Sequence, residues 1–471
     1  MLPAALLVGF VLVGTLLAFN KWRTGVFMAI VAGMIQDPIR KLTPGTPPIL
    51  VLASVPIWIA VYTGVIRHER AARLALRHAY PRLFSAAGLF AASLVLPAVL
   101  AFQYGLDGWQ MAVLGLFGYL SPLFGVLVGF AFARQVSDVR RLLVFYSVVS
   151  AAMLVGTALE YLHVFPGSLA LGTDAMGARW VRTALGGVVE LYSGFFRSPD
   201  VMGWHAAALL MFALGLVMQR RGGRDRLWLL LAGWGGLCLL LAGRRKMSMM
   251  PIIWAACVAI ALVGSGRFRR AVTLAVTAGT VAFGIYYASG EIDVHEKYYV
   301  YAGTVTGEGP ARVIEDAWGS VWMTYAQAGV LGRGLGSASQ GARYLTVFAD
   351  ESWQESGPSK VMAELGLPGF LCAVLLVWRV SRALSVVARD AMARQGDATL
   401  SLPLIGFTVA NLACFTISHQ VYSDAVILTL TSILLGTALA AHRWTVVLPR
   451  PKGTQRPLAA AAAPPLRERA G

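Results

Sequence analysis

Apolar runs dominate the pattern of this chain. Stretches such as Ala91–Phe102, Met111–Phe132, Leu142–Tyr161, Ile252–Val263 and Ala425–Ala441 contain almost no charged residue. They lie in windows of about 17 to 25 residues, the length of an α-helix that spans a bilayer. The strict alternation of apolar and polar positions that is typical of strands does not accompany them. The pattern therefore predicts an all-α polytopic membrane protein with about 12 to 13 transmembrane helices.

The two ends of the chain differ from the middle. Ala4–Phe19 has no basic residue before it and no small-x-small cleavage site after it, which favours a retained first span over a secretory signal. Val26–Gln36 is short enough to be a half-span, so the number of spans near residues 20–66 stays open. The residues after Pro449 are rich in Ala, Pro and Arg and offer no packable face. We predict a transmembrane domain over 1–442 and a disordered cytoplasmic tail over 443–471.

Composition supports a membrane protein. Of the 471 residues, 57% are apolar and 13% are charged, against about 25% charged in soluble domains. The net charge of +17 does not indicate a nucleic-acid partner, because the basic residues collect in short loops between apolar runs. The four cysteines fall inside apolar segments, which favours packing over chemistry. No dense group of metal ligands occurs, so we expect neither a metal nor a cofactor.

The distribution of basic residues predicts the orientation of the spans. Basic loops normally face the cytoplasm. On this rule the cytoplasmic segments are Arg67–Arg82, Arg134–Arg141, Arg220–Arg226, Arg267–Arg270, Arg379–Arg394 and the tail from Arg443. The outer segments between them are Gln103–Gly108, His163–Asp200, Gly243–Lys246, Ser289–Lys360 and His419–Asp424.

Two outer segments, 163–200 and 289–360, are long enough to hold structure or function of their own. We predict that both are periplasmic loops and that the larger one contains short helices. Within it, Ala311–Gln327 places several apolar side chains on one helical face beside Trp318 and Trp322. Tryptophan favours the bilayer interface, so this helix is expected to lie along the membrane surface and to contact lipid.

Three basic residues, Arg244, Arg245 and Lys246, lie in an outer segment, where the charge rule does not place them. Arginine presents a planar set of donors that matches phosphate oxygens, and the attraction is strongest near a low-dielectric boundary. These residues therefore predict an anionic phosphate partner. The alternative is that they extend to lipid headgroups without a further role.

Other outer residues are weaker candidates. Arg197 is a further cation at the same depth, whereas Ser198, Pro199 and Asp200 equally fit the capping of a helix. The glycine-rich segment Gly332–Ser337, which contains Arg333, could present backbone donors to a phosphate or a sugar, although glycine turns are common.

An acidic segment precedes a late apolar run. Glu355 could act as a general base toward a sugar hydroxyl if water is scarce around it, and solvation in a loop is the alternative. Trp353 offers an aromatic face for sugar stacking or for anchoring at the interface. Glu364 lies inside the predicted span and should face protein or water rather than lipid. Asp37 lies in another outer stretch, where Asp37-Pro38 favours a turn.

Taken in order, these segments resemble the O-antigen ligase and O-antigen polymerase superfamily of bacterial inner-membrane glycosyltransferases. The resemblance covers Ser193–Gly369, about a third of the chain. It rests on four segments that match the family's aromatic-x-x-Pro-Asn element, its Ser-Arg element, its glycine-rich turn and its His-Asn…Glu-Leu-Gly-x-x-Gly stretch. These are Phe196–Asp200, Leu241–Arg245, Gly332–Gly336 and Glu355–Gly369.

Three positions depart from the family pattern. Asp200 stands in place of asparagine, Gly243 in place of serine, and Glu355-Ser356 in place of His-Asn. The last departure argues against a histidine-based ligase mechanism and fits a divergent polymerase better, because a carboxylate can also act as base.

The resemblance implies transfer of a glycan from an undecaprenyl-diphosphate carrier to a glycan or lipid acceptor, without nucleotide sugar or metal, and with a chain-length regulator as a further partner. Arg244, Arg245 and Arg197 would neutralise the departing diphosphate. Glu355 would take the acceptor proton, and Lys246, Arg333, Asp200 and Trp353 would bind substrate.

Two other functions remain open at this stage. Ligation of a finished glycan to a lipid or protein acceptor shares the donor chemistry, so the sequence hardly separates it from polymerisation. A polysaccharide or lipid transporter is disfavoured, because nearly all charged residues lie in loops and no internal repeat is evident.

Overall fold

The computed structural model of the protein describes residues 2–164, 181–184, 187–219, 225–262, 319–339, 355–393 and 398–444. Within these ranges the chain is almost entirely helical, which confirms the predicted all-α class. The exception is a hairpin of two strands, β1 and β2, in the first long loop, whose antiparallel register pairs Val181 with Glu190. The elements are α1 (Leu2–Asn20), α2 (Trp22–Lys41), α3 (Val55–His68), α4 (Arg70–Ala79), α5 (Pro81–Ser93), α6 (Val95–Leu100), α7 (Gly108–Phe132), α8 (Val136–Tyr161), β1 (Val181–Ala184), β2 (Gly187–Glu190), α9 (Pro199–Met218), α10 (Asp225–Ala242), α11 (Arg245–Leu262), α12 (Ser320–Ala328), α13 (Gly357–Ala393), α14 (Ala398–Ile417) and α15 (Ala425–Leu439), with 3-10 helices at Pro48–Leu52, Ala101–Asp107, Gln420–Ser423 and Ala440–Arg443.

Many of these helices are long and apolar enough to cross a membrane. In the described part of the chain, nine helical stretches meet that length and hydropathy, and one of them, Pro81–Phe132, includes α5, α6 and α7. The protein is therefore a multi-pass membrane protein. The larger predicted number of spans stays a prediction, because 263–318 lies outside the described residues. The tail over 445–471 also lies outside them, whereas Arg443 and the buried Trp444 belong to the folded part.

The predicted half-span at Val26–Gln36 is instead the middle of a full-length helix. With 20 residues, α2 is about 30 Å long. Near its start the Arg23 guanidinium donates to the carbonyl of Ala131, and at its end the Lys41 ammonium donates to the carbonyl of Gly194. Polar residues interrupt its apolar run, but Gln36, Asp37 and Lys41 are buried against protein. The apolar pattern therefore made the helix look shorter than it is.

Contacts group the connections at two opposite ends of the bundle. At one end, here called the basic end, Arg134 pairs with Glu69 at 2.6 Å, Tyr80 donates to the carbonyl of Leu439, and Arg443 donates to the carbonyl of Phe130. Glu69, Tyr80, Arg134 and Arg443 belong to segments that the charge rule assigns to the cytoplasm, and Phe130 and Leu439 lie at the ends of the helices that adjoin them. The opposite end, called the site end, contains 193–200, 243–246, Glu355 and 418–424.

Helix α9 is the centre of the bundle. Almost every one of its residues is buried, as expected for a helix that is apolar on all sides. It packs against α8, α10, α11 and α14. Because its first residues lie at the site end, side chains carried just before and within its first turn are surrounded by protein.

A kink divides α13 at Gly366, whose φ of 63° is in the left-handed region. The kink faces the glycine-rich turn around Gly332, where a Cβ on Gly366 would collide with the Val330 carbonyl. A small apolar core beside it includes Phe90, Leu335 and Leu365. The first turns of α13 are thereby held against α5 and α7 at a fixed angle.

Candidate functional site

Arg197 is the centre of a buried ion cluster at the site end. Its Nη1 atom lies 2.6 Å from Asp424 Oδ2 and 3.5 Å from Asp37 Oδ1, and its backbone N–H donates to Asp37 Oδ2. Only 17% of the Arg197 side chain is exposed, against 3% and 4% for the two aspartates. Burial alone would lower the pKa of the guanidinium, but the attraction of Asp424 and Asp37 outweighs it and raises that pKa above its usual value.

The local sequence explains how Arg197 is placed. Ser198 caps α9, since its hydroxyl accepts from the Val201 N–H, and Pro199 occupies the first helical position. The capping interpretation of Ser198 and Pro199 is thus confirmed.

The turn before Arg197 is held from two sides. Glu160 accepts from the backbone N–H groups of Ser193 and Gly194, and the Lys41 ammonium lies 2.6 Å from the carbonyl of Gly194. These contacts anchor the chain between the hairpin and α9, so Arg197 is presented from a rigid segment.

A second ion cluster lies at the turn between α10 and α11. Asp200 Oδ2 is 3.1 Å from Arg244 Nε, and Asp200 Oδ1 is 2.8 Å from Lys246 Nζ. Gly243 makes the turn with a φ of 59°, and a Cβ there would collide with Leu191. Glycine adopts this conformation without strain, which brings both cations back toward the start of α9.

The connection 418–424, between α14 and α15, joins the two clusters. Lys246 Nζ donates to Ser418 Oγ at 2.8 Å and lies 3.5 Å from Gln420 Oε1. Asp424 uses one carboxylate oxygen to cap α15 and the other to bind Arg197. The seven residues therefore link the cations of α10–α11 to the arginine before α9.

The same connection reaches Glu355. The backbone N–H of His419 donates to the Glu355 carbonyl at 3.0 Å. The Glu355 side chain itself is exposed, as the alternative of solvation in a loop has it, and the water-poor surroundings that would favour a base are not seen around it. Its position beside 418–424 nevertheless places a carboxylate-bearing residue at the site end near the second ion cluster.

Glu364 lies fully buried on the first segment of α13. It accepts from the Tyr119 hydroxyl at 2.7 Å, the Lys360 ammonium at 2.9 Å and the Ala338 N–H at 3.1 Å. The prediction that it faces protein rather than lipid is confirmed. Three donors from α7, α13 and the glycine-rich turn therefore meet on one carboxylate.

The glycine-rich turn uses its backbone differently from the expectation. The N–H of Arg333 donates to Ala363 and that of Leu335 to Pro97, while the Arg333 carbonyl accepts from Gln103 and Tyr104. These groups bind protein instead of facing a phosphate. The turn is a packing element that fixes the kink of α13, and binding of substrate by Arg333 stays a prediction.

Several site predictions fall together and others lie outside the described part. Arg197, Asp200, Arg244 and Lys246 meet at the site end, with Glu355 beside them. The side chain of Arg245 and all of Trp353 lie outside the described residues.

Sequence reasoning missed other residues of the site, since they pair across long separations in the chain. Asp37, which the sequence suggests as a turn residue, lies inside α2, and the acids and donors of α2, α8 and 418–424 carry no local motif. These missed residues are Lys41, Glu160, Ser418, Gln420 and Asp424.

The two clusters differ in charge. Arg197 faces two carboxylates, whereas Arg244 and Lys246 share one, and 26% of the Arg244 side chain is exposed. Among these described groups, the surplus of positive charge therefore lies at the α10–α11 turn. A partly buried pair of cations with one carboxylate can bind an anion that offers several oxygens.

No family model matches the chain, and a search of curated proteins finds no significant match.

Proposed function

We propose that the protein is a membrane glycosyltransferase that polymerises undecaprenyl-diphosphate-linked glycan units at the periplasmic face of a bacterial inner membrane. The observation that carries the proposal is the pair of cations, Arg244 and Lys246, held at the site end with Asp200 between them. The proposal also rests on the resemblance of Ser193–Gly369 to O-antigen polymerases and ligases. It extends to Arg245, which adjoins the pair in sequence.

The reaction forms one glycosidic bond and breaks one sugar–phosphate bond. The acceptor hydroxyl oxygen attacks the anomeric carbon of the donor sugar, and the electron pair of the broken bond leaves on undecaprenyl diphosphate. Arg244 and Lys246 stabilise the negative charge that develops on this leaving group. Glu355 takes the proton of the acceptor hydroxyl, which balances the step.

Purified protein reconstituted in liposomes with lipid-linked oligosaccharide tests the proposal. We expect the wild type to release undecaprenyl diphosphate and to lengthen the glycan, while Arg244→Gln and Lys246→Met slow both by about 100-fold or more, as for the loss of other groups that stabilise transition-state charge. Arg226→Gln is the matched control, because Arg226 is exposed near the opposite end of α10. Equal rates for Arg244→Gln and Arg226→Gln would contradict the assignment.

The base is tested separately. Glu355→Gln should lower the rate of transfer while leaving binding of the donor unchanged, because the carboxylate acts on the acceptor. The expected loss is about 100-fold or more. Translocation of the labelled lipid without a new glycosidic bond would instead indicate a transporter, and transfer of a finished glycan to a lipid or protein acceptor without lengthening would indicate a ligase.

A further inference from the structure

Asp200 lies where an anionic ligand of Arg244 and Lys246 would lie. Its two oxygens approach the two cations at 3.1 and 2.8 Å, and its side chain is only 10% exposed. The three side chains come from α9 and from the turn between α10 and α11. No other described carboxylate lies within 4 Å of either cation.

The distances from Asp200 to Arg244 and Lys246 are short, but their angles do not meet those of a hydrogen bond. Asp200 Oδ1 and Arg244 Nε are buried, and neither makes a hydrogen bond of acceptable geometry in the described part of the chain. Asp200 is therefore attracted to Arg244 and Lys246 by opposite charge rather than by well-aligned hydrogen bonds. A buried polar atom without a hydrogen bond costs about 1–3 kcal/mol, so the arrangement favours a ligand that offers a better aligned oxygen to Arg244.

We infer that Asp200 is an internal competitor of the substrate diphosphate: its carboxylate occupies the cation pair in the empty protein and gives up these contacts when the diphosphate binds. The inference rests on the proposed function and adds a residue that sets the affinity for the donor and for the leaving diphosphate. Without Asp200, a cation pair at this depth would hold the product more tightly.

The alternative role for Asp200 is to hold Arg244 and Lys246 in position permanently, whether or not a diphosphate is bound. If Asp200 only positioned Arg244 and Lys246, removing its charge would let the cations separate and would weaken anion binding. If it competes, the same change leaves two cations without an opposing carboxylate, and anion binding strengthens. The two roles therefore predict effects of opposite sign.

Calorimetric titration of the detergent-purified full chain with inorganic pyrophosphate, and then with a short-chain polyprenyl diphosphate, distinguishes them. Asp200→Asn keeps the shape of the side chain and removes its charge, and Asp200→Ser removes the charge with a smaller group. We expect both to bind each probe about tenfold more tightly than the wild type, the change produced by roughly 1.4 kcal/mol of Coulomb energy. Asp225→Asn, at the other end of α10, should change nothing.

Unchanged or weaker binding by both Asp200 variants, with Arg244→Gln still weaker, would overturn the competitor role and leave the proposed function standing. Binding that is insensitive to Arg244→Gln, or no binding of either probe by the wild type, would overturn the proposed function as well. A fold defect is recognised independently by thermal unfolding of each variant.

Discussion

Replacing Glu364 with alanine should destabilise the protein more than loss of an ion pair at the basic end. Glu364 is fully buried, and its carboxylate is the shared acceptor of the Tyr119 hydroxyl, the Lys360 ammonium and the Ala338 N–H. Glu364→Ala leaves the Lys360 ammonium, which is only 14% exposed, without its carboxylate partner. Removal of one partner of a buried pair costs about 3–5 kcal/mol, mostly through the charge left behind.

The ion pair of Glu69 and Arg134 at the basic end provides the comparison for this loss of stability. Glu69 contacts Arg134 at 2.6 Å, but the Arg134 side chain is 60% exposed and water solvates it after the partner is lost. Glu69→Ala should therefore cost below about 1 kcal/mol. The double variant Lys360→Met/Glu364→Met, which removes both charges and keeps apolar volume, should recover most of the stability lost in Glu364→Ala.

The free energy of unfolding can be measured by titrating detergent micelles with a denaturing surfactant and following tryptophan fluorescence. Glu364→Ala should lower this free energy by several times the effect of Glu69→Ala, and the double variant should be more stable than Glu364→Ala. If the double variant is as unstable as the single one, the lost hydrogen bonds of Tyr119 and Ala338 to Glu364, rather than the unpaired charge of Lys360, explain the result, and the reasoning is wrong.

Three further predictions use the same unfolding measurement. Gly366→Ala should prevent accumulation of folded protein, because a Cβ there meets backbone that cannot move aside, whereas Gly118→Ala, with open space around it, should stay within about 1 kcal/mol of the wild type; equal yields and stabilities would refute this. Arg197→Lys should lower stability by about 1–3 kcal/mol, since the lysine side chain ends one atom short of Nη1, the atom that contacts both carboxylates, and an unchanged value would show that this reach is unimportant. Gly243→Ala should cost about 1–3 kcal/mol through its positive φ and its contact with Leu191; because Leu191→Ala relieves that contact, the two substitutions together should cost less than the sum of their separate costs, and strict additivity would refute the role of the contact.

The hydropathy pattern was enough to predict the fold class, because spans of this length leave few alternatives to helix in a bilayer. It failed at α2, where Gln36 and Asp37 interrupt the apolar run although both are buried against other helices. A window of apolar residues detects helices that face lipid. Such a window underestimates the length of helices whose polar side chains face protein.

The site was predictable only in part. Arg197, Arg244 and Lys246 stand out as cations in outer segments, and charge alone identifies them. Their partners do not stand out, because the acids that pair with Arg197 are 160 and 227 residues away in the chain. Asp424 resembles an ordinary residue at a helix start, and its second role depends on a tertiary contact that no local pattern records.

Asp424 performs those two roles with separate atoms. Its Oδ1 atom accepts from the N–H groups of Val426 and Ile427 at the start of α15, while Oδ2 binds Arg197. A substitution of Asp424 consequently removes both the cap of α15 and the ion pair with Arg197. Substitutions at Asp424 and Arg197 should therefore be strongly epistatic, and a scan of paired substitutions should show the two positions as one energetically coupled unit despite their distance in sequence.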